Sequence, residues 1–323
     1  DIMAMVDSFL RHIIKPQESE VFAGSPPLAF TFGLGGLLVF PLAARAATVL
    51  DETTGPKALL EAIAQFRITT LFTAPTAYRA MLAMLKDHDV SSLRKCVSAG
   101  DTIDKATSDA WLEATGVRPI DGIGATEMIH IFISAAGDDI RPGATGKPVP
   151  GYQAALLDDD GNVMHQGTGR LAVKGPTGCR YLDDARQKDY IHEGWNVTGD
   201  TYTIDEDGYF WFQARNDDMI VSGGYNIAGP EVEAALMAAP EVAECAVVGA
   251  PDAARGQIVK AHVVLAEGFE ASEARAKALQ DFVKATIAPY KYPRAVEFVQ
   301  ALPKTQTGKI QRFRLRQAEE EGS

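Results

Sequence analysis

Between Lys57 and Glu127 the apolar residues switch back and forth between helical and strand spacing, and this alternation restricts the fold more than any other feature. Ala58, Leu59, Ala62, Ile63 and Phe66 share one face of a helix, and Thr69-Thr70-Leu71-Phe72-Thr73 then reads as a strand. A second helix is expected near 76–85, where Tyr78, Met81, Leu82 and Leu85 recur at helical spacing, followed by a short buried strand at Lys95-Cys96-Val97-Ser98. Asp104 reads as the N-cap of a third helix ahead of Ala106, Ala110 and Leu112. Helices and strands in this order make βαβ units, which assemble around a parallel sheet. The alternation stops near Gly137.

Beyond that point the texture is different. Over 145–213 the chain carries the hairpin dipeptides Asp160-Gly161 and Asp207-Gly208, flanked by Ala155-Leu156-Leu157 and Tyr209-Phe210-Trp211-Phe212. A small β subdomain follows from that pattern. After Arg215 it changes again: Pro230 suits the first turn of a helix with Val232, Ala235, Leu236 and Ala239 on one face. Strands are expected over 243–248 and 258–265, and a helix over 273–285. The expected fold is therefore α/β with a small β subdomain, followed by a smaller α+β C-terminal domain. We expect a βαβ region over 1–136, the β subdomain over 137–216 and the C-terminal domain over 217–323. A length of 323 residues suits two domains.

Charge and cysteine content narrow the classes of function. Lys and Arg total 31 against 43 Asp and Glu, a net charge of −12, so the broad basic face that nucleic-acid binding needs is not expected. Cys96, Cys179 and Cys245 lie too far apart for a disulfide framework or a zinc spacing, and a reducing, cytoplasmic setting is the default. The uncharged stretch 21–44 is long enough for a membrane span, but Pro26, Pro27, Gly33, Gly35, Gly36 and Pro41 interrupt it. A buried strand–turn–helix is expected there, and no membrane partner. The first residues carry no basic start with an apolar run, so no leader is read there. Ile2, Met5, Val6, Phe9 and Leu10 already lie at helical spacing, as in the middle of a protein, so the sequence is expected to begin inside a larger one. Apolar surface around Ile2, Phe9 and Phe30 is accordingly expected to be exposed.

Four clusters have the residue types for chemistry. Asp121-Gly122-Ile123-Gly124-Ala125-Thr126-Glu127 lies at an expected strand end. Glycines there let the backbone approach a flat or phosphorylated ligand, and a hydroxyl beside a carboxylate suits phosphate and a hard cation. The second is Thr198-Gly199-Asp200, and the third runs over 215–227, from Arg215-Asn216-Asp217 through Ser222-Gly223-Gly224-Tyr225. The fourth, Leu302-Pro303-Lys304-Thr305-Gln306-Thr307-Gly308-Lys309-Ile310, places a Lys beside a flexible Gly. It lacks the earlier Gly and the following Ser or Thr of a phosphate loop. Taken singly, each also reads as a turn, a hairpin end, a linker or a solvated basic loop.

In this order and spacing the four clusters resemble the signature motifs of the acyl-adenylate-forming superfamily, which includes acyl-CoA synthetases, carrier-protein adenylation domains and luciferases. The resemblance covers essentially the whole chain, as the latter two thirds of such an enzyme, and implies roles residue by residue. Ala99, Gly100, Asp121, Gly122 and Ile123 would line the adenosine site, and Thr126 would hydrogen-bond phosphate. Glu127 would hold Mg²⁺. Asp200 would accept from both ribose hydroxyls, with Arg215 facing the same sugar. Asp217 would be the hinge of a mobile C-terminal domain, and Lys309 the catalytic cation between substrate carboxylate and α-phosphate. Ser222, Gly223, Gly224 and Tyr225 match the segment that lines the coenzyme A thiol tunnel.

Residues 30–35 and 121–132 resemble benzoate- and 2-aminobenzoate-CoA ligases in particular, which implies an aromatic acid against Phe32, Gly124, Ala125 and His130. His130 reads equally well as a hydrogen-bonded interior histidine. The implied reaction is ATP-dependent ligation of an aromatic acid to coenzyme A through an acyl-adenylate, releasing AMP and pyrophosphate. Loading of a carrier protein, or ligand binding without catalysis, stays open, as does a homodimer. There are departures from the pattern. The family's Gly- and Ser/Thr-rich phosphate loop is not among these residues, so the chain alone is expected to bind ligand without catalysing adenylation. Gly169-Arg170 stands where Gly-Glu is usual, and Pro230 falls one position late.

Overall fold

A computed structural model describes the chain apart from positions 54, 186, 306–308 and 322–323, and apart from the side chains of Asp189 and Asp217. Its first sheet has seven strands: β1 (Val21–Gly24), β2 (Ala47–Thr48), β3 (Thr70–Thr73), β4 (Lys95–Ala99), β5 (Ile120–Gly124), β6 (Ile131–Ser134) and β7 (Lys147–Pro148), in the spatial order β2-β1-β3-β4-β5-β6-β7. Strands β1 to β5 pair in parallel, while β6 and β7 run antiparallel. The parallel part is the βαβ region foreseen from the alternation. Its helices are α1 (Pro56–Phe66), α2 (Pro75–Leu82) and α3 (Lys105–Thr115). The Asp104 carboxylate does cap α3, accepting from the Thr107 N–H at 2.8 Å.

Residues 2–14 are helical, over Ile2–Met5 and then, in wider π turns, over Val6–Ile14. Met5, Val6, Phe9, Leu10 and Ile14 point into the core. The expectation of an exposed Phe9 is corrected here: its ring is fully buried against Phe40 and His130, whereas Ile2 and Phe30 are exposed. The stretch 21–44 folds as strand β1 and a broken helix over Thr31–Gly33, Leu34–Val39 and Phe40–Ala44. Among the described residues no helix is long and apolar enough to cross a membrane.

A second, mainly antiparallel sheet comprises β8 (Gln153–Leu157), β9 (Val163–Met164), β10 (Gly167–Lys174), β11 (Ile191–His192), β12 (Trp195–Ile204) and β13 (Phe210–Arg215), with β12 pairing to β11, β10 and β13. Both Asp-Gly dipeptides sit at turns of this sheet, with Gly161 and Gly208 at positive φ. The third sheet holds β14 (Met219–Ser222), β15 (Tyr225–Ala228), β16 (Val242–Asp252), β17 (Gly256–Leu265) and β18 (Ala295–Phe298). Helices α4 (Gly229–Met237) and α5 (Glu273–Thr286) contribute Val232, Leu236, Leu279 and Val283 to its core. The α+β reading of this part holds.

A last helix, α6 (Arg312–Glu321), was not foreseen, because it has no buried residue and no apolar stripe. Polar links hold it instead. Arg312 pairs with Glu233 at 2.7 Å, Arg316 with Asp218, and Glu319 with Lys260 at 2.6 Å. Contacts divide the chain into two compact units, one of residues 1–198 and 202–212, the other of 199–201 and 213–323.

Candidate functional site

In the first unit the candidate residues gather where parallel strands end. In open α/β sheets ligands bind beyond the carboxyl ends of the strands. Ala99 closes β4 and Gly100 follows it with φ +97°, while Gly122, Ile123 and Gly124 close β5 alongside, with Ala99 registered on Gly122. A Cβ at Gly124 would lie 2.8 Å from the His130 carbonyl oxygen, so only glycine fits that approach. Asp121 is buried with no partner at Oδ1, and burial pushes its carboxyl well above the ordinary range despite bonds from the Gly122 and Ile103 backbone.

After Ala125 the chain makes a single 3₁₀ turn over Thr126–Met128. Ile129 then takes φ +69° and ψ −47°, and the His130 N–H reaches back to the Met128 carbonyl at 2.9 Å. That is a γ-turn of the rare, strained hand on a β-branched residue. On either side of it the burial differs: Thr126 is exposed and Glu127 half-buried, whereas His130 goes into the core.

His130 lies among Phe9, Phe32 and Phe40, with ring centroids 5.1, 6.0 and 4.7 Å away. It is 2% exposed; neither ring nitrogen reaches a partner at full hydrogen-bond geometry, and the Phe32 backbone is the polar group that faces the ring. Burial pushes its pKa down to about 3, so the imidazole is neutral at physiological pH. Gly35 makes this arrangement sterically possible, since a Cβ there would fall 2.5 Å from the imidazole. Phe9 and Phe40 were not foreseen as neighbours of this site. They lie in segments far from 121–130, and nothing in local spacing marks them.

Two further residues reach the Thr126–Met128 turn, and sequence reasoning missed both. The Tyr181 hydroxyl donates to Glu127 Oε1 at 2.7 Å, which pushes the phenol well above its ordinary value. The Thr177 hydroxyl donates to the Met128 carbonyl at 2.9 Å.

The second unit holds the remaining candidates. Arg215 Nε stands 3.5 Å from the Asp200 carboxylate, which is mostly buried, so this ion pair is brought together by strands β12 and β13. The Thr201 hydroxyl donates to Asn216 at 2.8 Å at the start of the Asn216–Asp218 turn. Asp217 lies in that turn. Strands β14 and β15 form a hairpin whose two loop residues, Gly223 and Gly224, have φ +57° and +83°. Both angles are left-handed, as a two-residue hairpin with matching twist requires. Ser222 is buried, and Tyr225 is exposed and lies over Tyr290 at 4.7 Å. Lys309 is exposed; its carbonyl accepts from the Thr305 N–H and its own N–H donates to the Thr305 hydroxyl. Thr307 and Gly308 of that motif lie outside the described residues.

Chemically, the turn at 126–127 offers a hydroxyl and a carboxylate, hard donors that fit Mg²⁺ and phosphate. One other carboxylate–histidine group occurs among the described residues, His262, Glu297 and Glu319. The Lys260 ammonium already stands between its carboxylates, at 2.8 and 2.6 Å.

With this geometry in place, the comparisons define a class. The family model for AMP-binding enzymes matches residues 1–180, and the model for the AMP-binding enzyme C-terminal domain matches 231–309. The chain belongs to the AMP-binding enzyme family. Among curated relatives, the benzoate–CoA ligase of Thauera aromatica is 39% identical over 98% of this chain and 62% of its own length. Among solved structures, an anthranilate CoA ligase in complex with anthranoyl-AMP is 42% identical with a TM-score of 0.90, covering 96% of this chain and 61% of that one. A benzoate CoA ligase from Burkholderia xenovorans LB400 is 35% identical with a TM-score of 0.89, covering 97% and 64%. The chain thus spans a little over three fifths of the length of these relatives.

Proposed function

We propose that this chain serves the AMP-forming ligation of an aromatic carboxylic acid to coenzyme A. The observation that carries the aromatic substrate is the His130 environment. A neutral imidazole, faced on one side by the Phe32 backbone, lies among three phenylalanine rings beside the glycine-lined end of β5. Phe32 and Ala125 pack against the same apolar core and Gly124 lies against the His130 backbone, surroundings that suit a flat ring. With the Phe32 carbonyl facing the ring N–H, the other nitrogen is left as an unmet buried acceptor, at a cost of about 1–3 kcal/mol. A ring amino substituent recovers part of that cost, so the site favours 2-aminobenzoate over benzoate. The ligases of similar sequence that act on these acids support this reading.

The same residues account for the two half-reactions. Carboxylate attack on ATP joins two anions and needs charge compensation and close positioning. Ala99, Gly100, Asp121, Gly122 and Ile123 hold the adenosine, and Asp200 with Arg215 takes the ribose. Thr126 would hydrogen-bond phosphate, and Glu127 would hold the Mg²⁺ that accompanies ATP, which would supply charge compensation there. Lys309 supplies a compact cation to the transition state. The C-terminal unit, turning about Asp217, then presents Ser222, Gly223, Gly224 and Tyr225 to the coenzyme A thiol. A soluble enzyme of the cytoplasm suits these substrates.

The test is calorimetric titration with non-hydrolysable acyl-AMP analogues. The 2-aminobenzoyl analogue is expected to bind more tightly than the benzoyl one, and both more tightly than a hexanoyl one. His130→Ala is expected to erase the first preference and leave AMP affinity unchanged. Equal affinity for all three analogues would refute the aromatic assignment.

A further inference from the structure

The contacts that brace the Thr126–Met128 turn lead beyond this reading. Both come from one short segment. The Thr177 hydroxyl fixes the backbone at Met128, and Tyr152 OH stands 2.9 Å from Thr177 Oγ1 on the other side. Tyr181, four residues on, acts on a side chain instead, donating to Glu127 Oε1 at 2.7 Å. Its ring packs edge-on against Tyr190, with centroids 5.9 Å apart, which helps to keep the phenol in place.

We infer that Tyr181 is a positioning residue for the Glu127 carboxylate, holding Oε1 so that Oε2 is presented to the Mg²⁺ that accompanies ATP. The inference rests on the proposed role of Glu127 and adds a residue to it. A glutamate side chain has several rotamers, and ordering it costs conformational entropy. Fixing one oxygen in advance removes that cost from the metal-binding step. Mg²⁺ keeps strict octahedral geometry with few protein ligands, so one free carboxylate oxygen suffices. A phenol has one proton to give and directs it at one oxygen, which leaves the other available. The strained turn makes such support useful, since backbone in a sparsely populated conformation persists only where its surroundings over-determine it.

The experiment uses Mn²⁺ as a spectroscopic substitute for Mg²⁺, titrated into the chain with saturating ATP and read as free Mn²⁺ by electron paramagnetic resonance. Hydrogen-bond partners of metal ligands typically change affinity by about 10–100-fold when removed. Tyr181→Phe is expected to weaken Mn²⁺ binding by at least about tenfold, with metal-free AMP affinity unchanged. Glu127→Gln is expected to weaken it further, and adding Tyr181→Phe to Glu127→Gln to have no additional effect. Mn²⁺ affinity unchanged in Tyr181→Phe but lowered in Glu127→Gln would overturn the role of Tyr181 alone. Mn²⁺ affinity unchanged in Glu127→Gln, or no protein-dependent Mn²⁺ binding at all, would overturn the assignment of Glu127 beneath it. A parallel loss of AMP affinity in Tyr181→Phe would make Tyr181 structural and overturn the inference. Tighter Mn²⁺ binding in Tyr181→Phe would mean that the phenol competes with the metal, which also overturns it.

Discussion

Lys309 and His130 represent two ways in which a residue can be poised for chemistry. His130 is held by packing, and its state is set by burial: with a pKa near 3 it stays neutral through the physiological range. Ligand preference that depends on His130 is therefore expected to be flat between about pH 5 and 8, where an unperturbed histidine titrates. Analogue affinities that change across that interval through His130, and not in His130→Ala, would contradict the buried state. Lys309 is exposed, so truncating it leaves no cavity and, among the described residues, strands no ion-pair partner. In the full-length enzyme, Lys309→Ala is expected to leave thermal stability unchanged while slowing adenylate formation by roughly 10²-fold or more, as loss of a transition-state charge contact does. Pyrophosphate exchange at the normal rate in that variant would remove Lys309 from the reaction.

At the scale of elements, the hairpin β14–β15 explains why its two glycines are glycines. A Cβ at Gly224 meets nothing within 4 Å, so crowding is not the constraint; the left-handed φ of +83° is. Gly224→Leu is thus expected to strain the turn itself, and Gly224→Asn, which tolerates that conformation, to rescue folding. Equal stability of the Leu and Asn variants by thermal denaturation would count against the turn argument. The α3 cap permits a prediction with a sign. Burial of Asp104 opposes its charge, but hydrogen bonds from Thr107 and the Arg79 ion pair outweigh it and hold the carboxyl below its ordinary value. A lowered pKa adds stability above the unfolded value of about 4, and that contribution is lost as pH falls through the folded value. Asp104→Ala is expected to cost about 1 kcal/mol at pH 7 and progressively less below pH 4, read by urea denaturation at both pH values. A cost that does not vary with pH would mean that charge plays no part in the cap.

These elements also show what the sequence makes visible. The α3 cap, the Asp-Gly turns and the alternating β3–α2–β4–α3 run depend on neighbours in the chain, and local spacing records them. Residues 99–100, 121–127, 200, 215 and 309 were singled out by resemblance to family motifs and not by spacing; the fold sets Ala99 beside Gly122 and Arg215 beside Asp200. The ring cluster around His130 was only half legible. Phe32 and His130 were marked, but Phe9 and Phe40 approach from separate segments, and Phe9 was expected on the surface. Tyr181 is 54 positions from Glu127, a pairing that periodicity does not encode. Helix α6 escaped for the opposite reason: charge pairs from Arg312, Arg316 and Glu319 hold it, so no hydrophobic period announces it.

For the whole molecule, the division into two units has a thermodynamic consequence. Each unit has its own apolar core. One is built on residues such as Phe22, Phe72, Val97 and Phe132, the other on Val232, Leu236, Val247, Val263 and Leu279. A unit with its own core can unfold as its own cooperative transition, and a chain of two such units departs from two-state behaviour. The second unit, with a single core cluster and a terminal helix held by polar links, has less apolar surface to stabilise it. It is expected to unfold first. The distribution of tryptophan makes this measurable without modifying the protein, since Trp111, Trp195 and Trp211 all fall in the first unit. Tryptophan fluorescence therefore follows that unit alone, while far-ultraviolet circular dichroism follows both. In a urea titration the dichroism is expected to begin changing at lower denaturant than the fluorescence. Sodium chloride at about 1 M is expected to leave that gap nearly unchanged, because the α6 ion pairs are mostly buried and so only weakly screened. Coincident curves for the two probes at both salt concentrations would mean that the units unfold as one, and the separate cores would then not be separate cooperative units.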